Sequence, residues 1–265
     1  MELQKVLRTL QNYLPGGRDR REALSRALRR MGGKPHDPDF VALRHFLPGQ
    51  VLLDVGANYG QSIASMRLVQ PESEIIAYEP NIDLAGKITQ LFRADRSVTV
   101  QPFGLSDIAG AFDLFVPYYG NFPYPGLASL SEEEARSWLS AETLYFFRSR
   151  NVHVRRIRCR LETLDSQALS PYFMKIDVQG AEFDMLRGSL ATLKRHQPIL
   201  LIESPGRDPR ITSLLDSLGY QEFEFTDGRF LRQKSLGMNG FFMTSRRQAE
   251  LSASTPGLFA PMRSP

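Results

Sequence analysis

Cysteine is almost missing from this chain. Cys159 stands alone among 265 residues, which excludes an internal disulfide and a thiolate metal cage. It lies in Val154–Arg160, whose alternation reads as a strand, and is expected as a packed thiol rather than a nucleophile. Long apolar runs are missing too. Nowhere do about 18 apolar residues follow one another, and the N-terminus has no uninterrupted apolar stretch of the signal-peptide kind. The expectation is a cytoplasmic protein without a membrane span. A strong charge of one sign is also absent: 33 Lys and Arg against 29 Asp and Glu leave a net +4, too mild to imply a nucleic-acid partner. Much of the excess is local, since residues 1–47 hold ten Lys/Arg and five Asp/Glu. That cluster reads as a solvated helix face, or as a basic surface for an anionic membrane or a lipid-linked acceptor.

A dinucleotide fingerprint is the last absence. Val51–Val55 is a short apolar run holding an acid, followed by a glycine-bearing loop and a helix-like stretch from Gln61 to Leu68. Strand, tight turn and helix N-terminus is how α/β proteins cradle a nucleotide. The Rossmann spacing is G-x-G-x-x-G, whereas here it is Gly56-x-x-x-Gly60, with Asp54 two residues before the first glycine. No glycine is placed to approach a pyrophosphate. An acid leading the loop suits a ligand with a cationic or hydroxyl-rich end, and S-adenosylmethionine has both.

What is present divides into three zones. Residues 1–48 read as a helical extension, with Leu3, Val6, Leu7, Leu10 and Leu14, then Ala23, Leu24, Ala27, Leu28 and Met31, at helical spacing around the Pro15-Gly16-Gly17 break. These helices would cap the domain, form a homodimer interface or face a membrane. Residues 49–245 alternate strand-like and helix-like segments, the pattern of a mostly parallel sheet. Strands are expected at Val51–Val55, Glu74–Tyr78, Val98–Pro102, Phe173–Val178, Ile199–Glu203, Gln221–Phe225 and Gly240–Thr244. Residues 246–265 show no periodicity and read as a mobile tail. Within the central zone, residues 111–150 form an aromatic-rich insertion: ten of the chain's 27 aromatics lie between Phe112 and Phe147. It reads as a satellite core or as a lid over an acceptor, with a capped helix expected over Ser131–Leu144.

In an open α/β sheet the ligand sits beyond the carboxyl ends of the strands, so those ends nominate the site. The first gives Asp54, Gly56, Asn58 and Gly60. The second ends Tyr78-Glu79-Pro80, about 25 residues on, near where an acid bonding ribose hydroxyls is expected. The third leads into Ser106-Asp107, a polar pair for a base edge. The fourth, Lys175-Ile176-Asp177-Val178-Gln179-Gly180-Ala181-Glu182, sets a lysine and acids in an apolar run, and the fifth ends on Glu203. Four of five strand ends finishing on an acid is more specific than any one motif.

These blocks, with Ile202-Glu203 and fainter echoes at Ala128-Ser129-Leu130 and Arg160–Leu164, resemble the FkbM-type S-adenosylmethionine-dependent methyltransferases over residues 50–245. The chain has Tyr78 where the family typically has Phe before Glu-Pro, a conservative change. The resemblance implies a class I methyltransferase fold: a Rossmann-like, seven-stranded, mostly parallel sheet with helices on both faces and its last strand antiparallel. It also implies O-methylation of a sugar, glycan or secondary metabolite. Asp54–Gly60 would hold the methionine part of the cofactor, Glu79 the ribose, and Ser106 and Asp107 would lie near the adenine.

In-line transfer of a methyl group to a hydroxyl is mostly positioning, but the alcohol must also lose a proton. Two mechanisms fit. A general base removes it, with Asp177, Glu203, Glu182 or His153 as candidates. Alternatively a divalent cation such as Mg2+, held by Asp177 and Glu203 with Gln179 or waters, lowers the hydroxyl pKa. Plainer readings stand beside these. Asp177 could cap the following helix, Lys175 could merely pair with it, and Glu182 suits a first helical turn. His196 sits at a helix end that favours cations, and His36 and His45 have no partner at metal spacing. Two other functions compete with methyl transfer: a non-catalytic binding paralogue on the same fold, and a nucleotide-dependent oxidoreductase. The absent dinucleotide fingerprint and the lack of a Tyr-x-x-x-Lys pair argue against the latter.

Overall fold

The computed structural model describes residues 5, 6, 9, 33–232 and 238–260. Apart from Lys5, Val6 and Thr9, the two helices expected before residue 32 lie outside the described residues. Among those described, no helix is long and apolar enough to cross a membrane.

The expected alternation is realised. Strands β1 (Val51–Val55), β2 (Glu74–Tyr78) and β3 (Val98–Gln101) are followed, after an excursion, by β8 (Phe173–Ile176), β9 (Ile199–Glu203), β10 (Tyr220–Thr226), β11 (Arg229–Leu231) and β12 (Asn239–Thr244). They form one sheet in the order β11-β10-β12-β9-β8-β1-β2-β3. β3-β2-β1-β8-β9 are parallel, and β12 slots antiparallel between β9 and β10. The sheet has eight strands rather than seven. The extra one, β11, is the return arm of a hairpin whose two-residue turn is Asp227-Gly228, both at positive φ, as a type I′ turn requires.

The central strands are apolar on both sides because helices cover both faces. Leu52, Ile75, Phe173, Ile199 and Phe241 point to one face, where α1 (Gln61–Val69) and a 3₁₀ helix over Pro38–His45 bury Ile63, Met66, Phe40 and Leu43 against them. Leu53, Ile76, Met174, Leu200 and Phe242 point to the other, under α4 (Glu182–Arg187), α5 (Leu190–His196) and α6 (Pro209–Ser217). The helix α2 (Ile82–Phe92), capped by Asn81, links β2 to β3.

Two expectations fail, each for a local reason. The tail expected over residues 246–265 is structured as far as it is described, to residue 260: Ser245–Ser254 is a helix (α7), and Leu251 and Leu258 are buried in the core. Arg247 anchors it, donating to the carbonyls of Gln197 and His196 and lying over the Tyr172 ring. The helix expected over Ser131–Leu144 stops early, as α3 (Glu132–Ser137). Ser131 caps it through the Glu134 amide, but the Glu134 carboxylate turns to the Ser129 hydroxyl instead of closing a reciprocal box.

The aromatic insertion is wider than residues 111–150 and has its own architecture. β4 (Gly104–Leu105), β5 (Gly110–Tyr119), β6 (Phe122–Pro123) and β7 (Val152–Glu162) build a second sheet in the order β4-β7-β5-β6, with β5 and β7 paired antiparallel along their lengths. Its aromatics mostly pack on one another: Tyr119, Phe122 and Tyr124 with Leu139 and Leu144 form one satellite core. Leu114, Val116 and Cys159 form another, so the lone cysteine is a packed thiol.

Candidate active site

The loop after β1 is held in a shape that only its sequence permits. Gly56 has φ +87°, and a Cβ there would stand 1.8 Å from the Asp177 carbonyl oxygen. Glycine is therefore dictated twice, by conformation and by contact. Asn58 and Gly60 also have positive φ. Glu79, at the end of β2, clasps the loop. One carboxylate oxygen accepts the Asn58 amide at 2.7 Å and the other the Asn81 amide at 2.9 Å. Burial pushes its pKa up to about 7. Beneath the loop, Asp54 is wholly buried, and neither of its oxygens has a hydrogen-bond partner among the described residues. Its nearest counter-charge is the Lys175 ammonium at 3.9 Å, and burial raises its pKa to about 6.

At the ends of β8 and β9 the acids come together. Lys175 Nζ donates to Asp177 at 2.8 Å. The Gln179 amide donates to both Asp177 (2.7 Å) and Glu203 (3.1 Å), tying the two carboxyls into one unit. Their pKa values are driven apart. Glu203 is raised to about 8, first by its hydrogen bond to Asp177, then by burial and by the Asp177 charge. For Asp177, burial opposes ionisation, but the Lys175 charge and the bonds from Glu203, Lys175 and Gln179 outweigh it and hold the carboxyl below its ordinary range. Lys175 itself is penalised by burial, yet Asp177 and Asp54 keep it above its ordinary value. At neutral pH the pair thus shares one proton and one negative charge.

Two cavities open on either side of this strand tip. One, of about 190 Å³, is lined by Gly56, Asn58, Lys175, Asp177 and Glu203, and closed by Asp37, Phe40, Met238 and Asn239. The other, of about 320 Å³, runs between Tyr78, Pro80, Leu105 and Ser106 on one side and residues 178–181 on the other, under Leu114 and residues 128–131 of the second sheet. Gly56 lines both.

The nominated residues therefore divide. Asp177 and Glu203 meet as expected, as do Gly56 and Asn58, and Ser106 lines the larger cavity. Asp54, Gly60, Glu79 and Asp107 line neither cavity, and Asp107 is paired to Arg187 at 3.1 Å. Two catalytic candidates drop out. His153 is exposed on β7, stacked on Tyr118 in the second sheet and lining neither cavity. Glu182 accepts the Val178 and Gly180 amides with its two oxygens, so it fastens the loop ahead of α4. Nor does Asp177 cap that helix, because its N-cap is Ala181. The metal reading does not fit either. Lys175 and Gln179 occupy the Asp177 oxygens, and no group of three or more His, Cys, Asp or Glu among the described residues could hold a metal ion. Sequence reasoning missed Asp37 and Asn239, which carry no motif. It read the insertion as a satellite core or an acceptor lid; its aromatics pack as satellite cores, and residues 128–131 and Glu134 border the larger cavity.

The profile of the methyltransferase FkbM domain matches residues 54–223. Among curated proteins, the AMB antimetabolite synthetase AmbE of Pseudomonas aeruginosa is 28% identical over 195 residues, 64% of this chain. The chain spans 9% of that relative's length. Among solved structures, methyltransferase FkbM from Methylobacillus flagellatus is similar at a TM-score of 0.47 and 14% identity, covering 74% of this chain and 44% of that one. A SAM-dependent O-methyltransferase from Thermotoga maritima is similar at 0.38 and 11% identity, covering 80% and 65%. The profile takes in every strand end of the site, from Asp54 through Glu79, Ser106 and Asp177 to Glu203, and covers well over half of the chain; the protein belongs to the FkbM methyltransferase family.

Proposed function

We propose that this protein is an S-adenosylmethionine-dependent O-methyltransferase acting on a hydroxyl of a sugar, glycan or secondary metabolite. One observation carries the reading: two cavities of different chemistry meet over Gly56, beside a carboxyl pair that holds one proton. The residues fit the cofactor. The larger, less polar cavity suits an adenosine, with Ser106 at its edge. Gly56 lets the β1 loop pack directly on the Asp177 carbonyl, where a Cβ could not stand, and the buried, unpartnered Asn58 Oδ1 offers an acceptor to an ammonium group. Glu79 lines neither cavity and would act on the cofactor through the loop, which it holds by the Asn58 and Asn81 amides.

When bound, the cofactor supplies an electrophilic methyl on a sulfonium. The chain's own residues then have two tasks. The walls of the smaller cavity hold the acceptor oxygen in line with that methyl. Once Glu203 has released its own proton, its carboxylate would take the hydroxyl's proton as the methyl passes to that oxygen, and the pair would end with one proton, beside a neutral ether and a neutral thioether. A base works best with a pKa near the working pH, and Glu203 at about 8 meets that condition. Lys175 keeps Asp177 charged and so keeps the proton on the pair. Calorimetry and a turnover assay test the reading together. S-adenosylmethionine should bind to wild type and to Asp177→Asn alike, while only wild type forms S-adenosylhomocysteine with an acceptor. No binding at millimolar cofactor overturns it, and equal activity in the two would leave a binding paralogue.

A further inference from the structure

The smaller cavity has two walls of different origin. One is the set of strand ends that the family profile covers. The other comes from outside residues 54–223: Asp37 and Phe40 ahead of it, Met238 and Asn239 behind it. Asn239 is the register partner of Glu203 across β9 and β12. Direct partners in an antiparallel ladder project to the same face, with their Cβ atoms about 5 Å apart. Asn239 Nδ2 in turn donates to Asp37 at 2.7 Å and to Asp39 at 2.8 Å. Asp37 also caps the 3₁₀ helix over Pro38–His45 through the Asp39 amide. A carboxylate is thus fixed at the cavity mouth, facing the proton-sharing pair across about 190 Å³.

The cavity is rich in acceptors. Asp37, Asp177 and Glu203 present carboxyl oxygens to it. Its cation, Lys175, lies between Asp54 and Asp177 and is offset by them. His36 lines the cavity as well; a ligand that brings hydrogen-bond donors suits the three carboxyls, whereas a carboxylate or phosphate next to its reacting oxygen would face Asp37 while the Lys175 charge is already offset by Asp54 and Asp177.

We propose that Asp37, positioned by Asn239, binds a hydroxyl adjacent to the one being methylated, so that the enzyme selects neutral polyols over acidic ones. This rests on the methyltransferase reading. The reacting hydroxyl meets the Asp177–Glu203 pair, the neighbouring hydroxyl meets Asp37, and the cofactor-side cavity takes no part in the choice.

The test uses the full chain with S-adenosylmethionine and a panel of methyl glucoside, methyl mannoside, methyl rhamnoside and glucuronic acid, reading S-adenosylhomocysteine. A neutral glycoside should turn over, and glucuronic acid should be at least about tenfold poorer in kcat/KM. Asp37→Asn should raise KM for the neutral glycoside about tenfold or more, with kcat and cofactor Kd within about threefold, and should narrow the discrimination against glucuronic acid. Asn239→Ala should shift the same quantities by less, and it decides the matter if Asp37→Asn folds poorly. The proposal is overturned if no neutral glycoside reacts, if glucuronic acid reacts as well, or if neither variant moves KM. Failure of cofactor binding by calorimetry would instead sink the methyltransferase reading itself.

Discussion

The two cavities share Gly56 and little else. The larger is walled mostly by backbone, apolar side chains and hydroxyls, with Glu134, Gln179 and Asp184 among them, and every residue lining it falls between Val55 and Asp184, inside the family match. The smaller brings three carboxyl groups together, and five of its fourteen lining residues, His36, Asp37, Phe40, Met238 and Asn239, lie outside the match. The difference separates what a fold shares from what one chain adds. In the proposed function, the matched strand tips build a place for a cofactor and a proton-sharing pair, and the flanking segments select what stands opposite. Gly56→Ala should abolish the distinction altogether. A side chain 1.8 Å from the Asp177 carbonyl, at φ +87°, must push the β1 loop and the β8 end apart. Loss of measurable cofactor binding and of turnover is expected; binding within tenfold of wild type would refute this role for Gly56.

Next in size is a substitution confined to the acidic side. Glu203→Gln keeps the shape and a hydrogen-bonding group but removes the proton site, so kcat should fall about 10²- to 10⁴-fold. Cofactor Kd should stay within about threefold, since Glu203 lines only the smaller cavity. The wild-type rate should rise with pH toward about 8, as the pair gains its second charge, and that limb should vanish in the variant. A parallel loss of cofactor affinity would mean that the two cavities are one.

The mirror experiment acts on the other side. Leu130, on the insertion and 42% exposed, borders the larger cavity. Leu130→Asp puts a charge beside the proposed adenine and should weaken cofactor binding roughly tenfold, leaving kcat at saturation within about threefold.

The main sheet was legible because its strands are short apolar runs that end in acids, and burial on both faces forces that pattern. Asp177 and Glu203 were legible for the same reason, since a charge is conspicuous at the end of a buried strand. The second sheet was obscured because Gly110–Tyr119 mixes aromatics, proline and small residues, and its long pairing with β7 spans an insertion that no local pattern reveals. Its partner β7 was half-visible through the alternation around Cys159. The hairpin at Asp227-Gly228 did carry a local signal, since Asp-Gly between apolar residues is a type I′ dipeptide, and it went unread. Asp37 and Asn239 carried none. They meet across 202 residues, and only the pairing of β12 with β9 brings them to Glu203.

The smallest effect is on stability, and it also separates the two sides. Glu203 is raised from 4.5 to about 8, chiefly by Asp177, and Asp54 and Glu79 are raised by burial to about 6 and about 7. In each case the folded state holds a proton that the unfolded chain has released. Between about pH 4.5 and 8 the unfolded state therefore binds fewer protons, and stability must fall as pH rises. Asp177, held low, acts in the opposite sense: its contribution is lost only as pH falls below its ordinary 3.8. Urea melts from pH 5 to 8 should show this decline in wild type and a shallower one in Glu203→Gln, while Leu130→Asp, remote from the pair, should keep the wild-type slope. In the proposed function, the pH that arms the base is the pH at which Glu203 has lost its own contribution to stability. A slope unchanged in Glu203→Gln would mean that its proton is not held by the folded pair, and the acidic cavity would lose its claim to the chemistry.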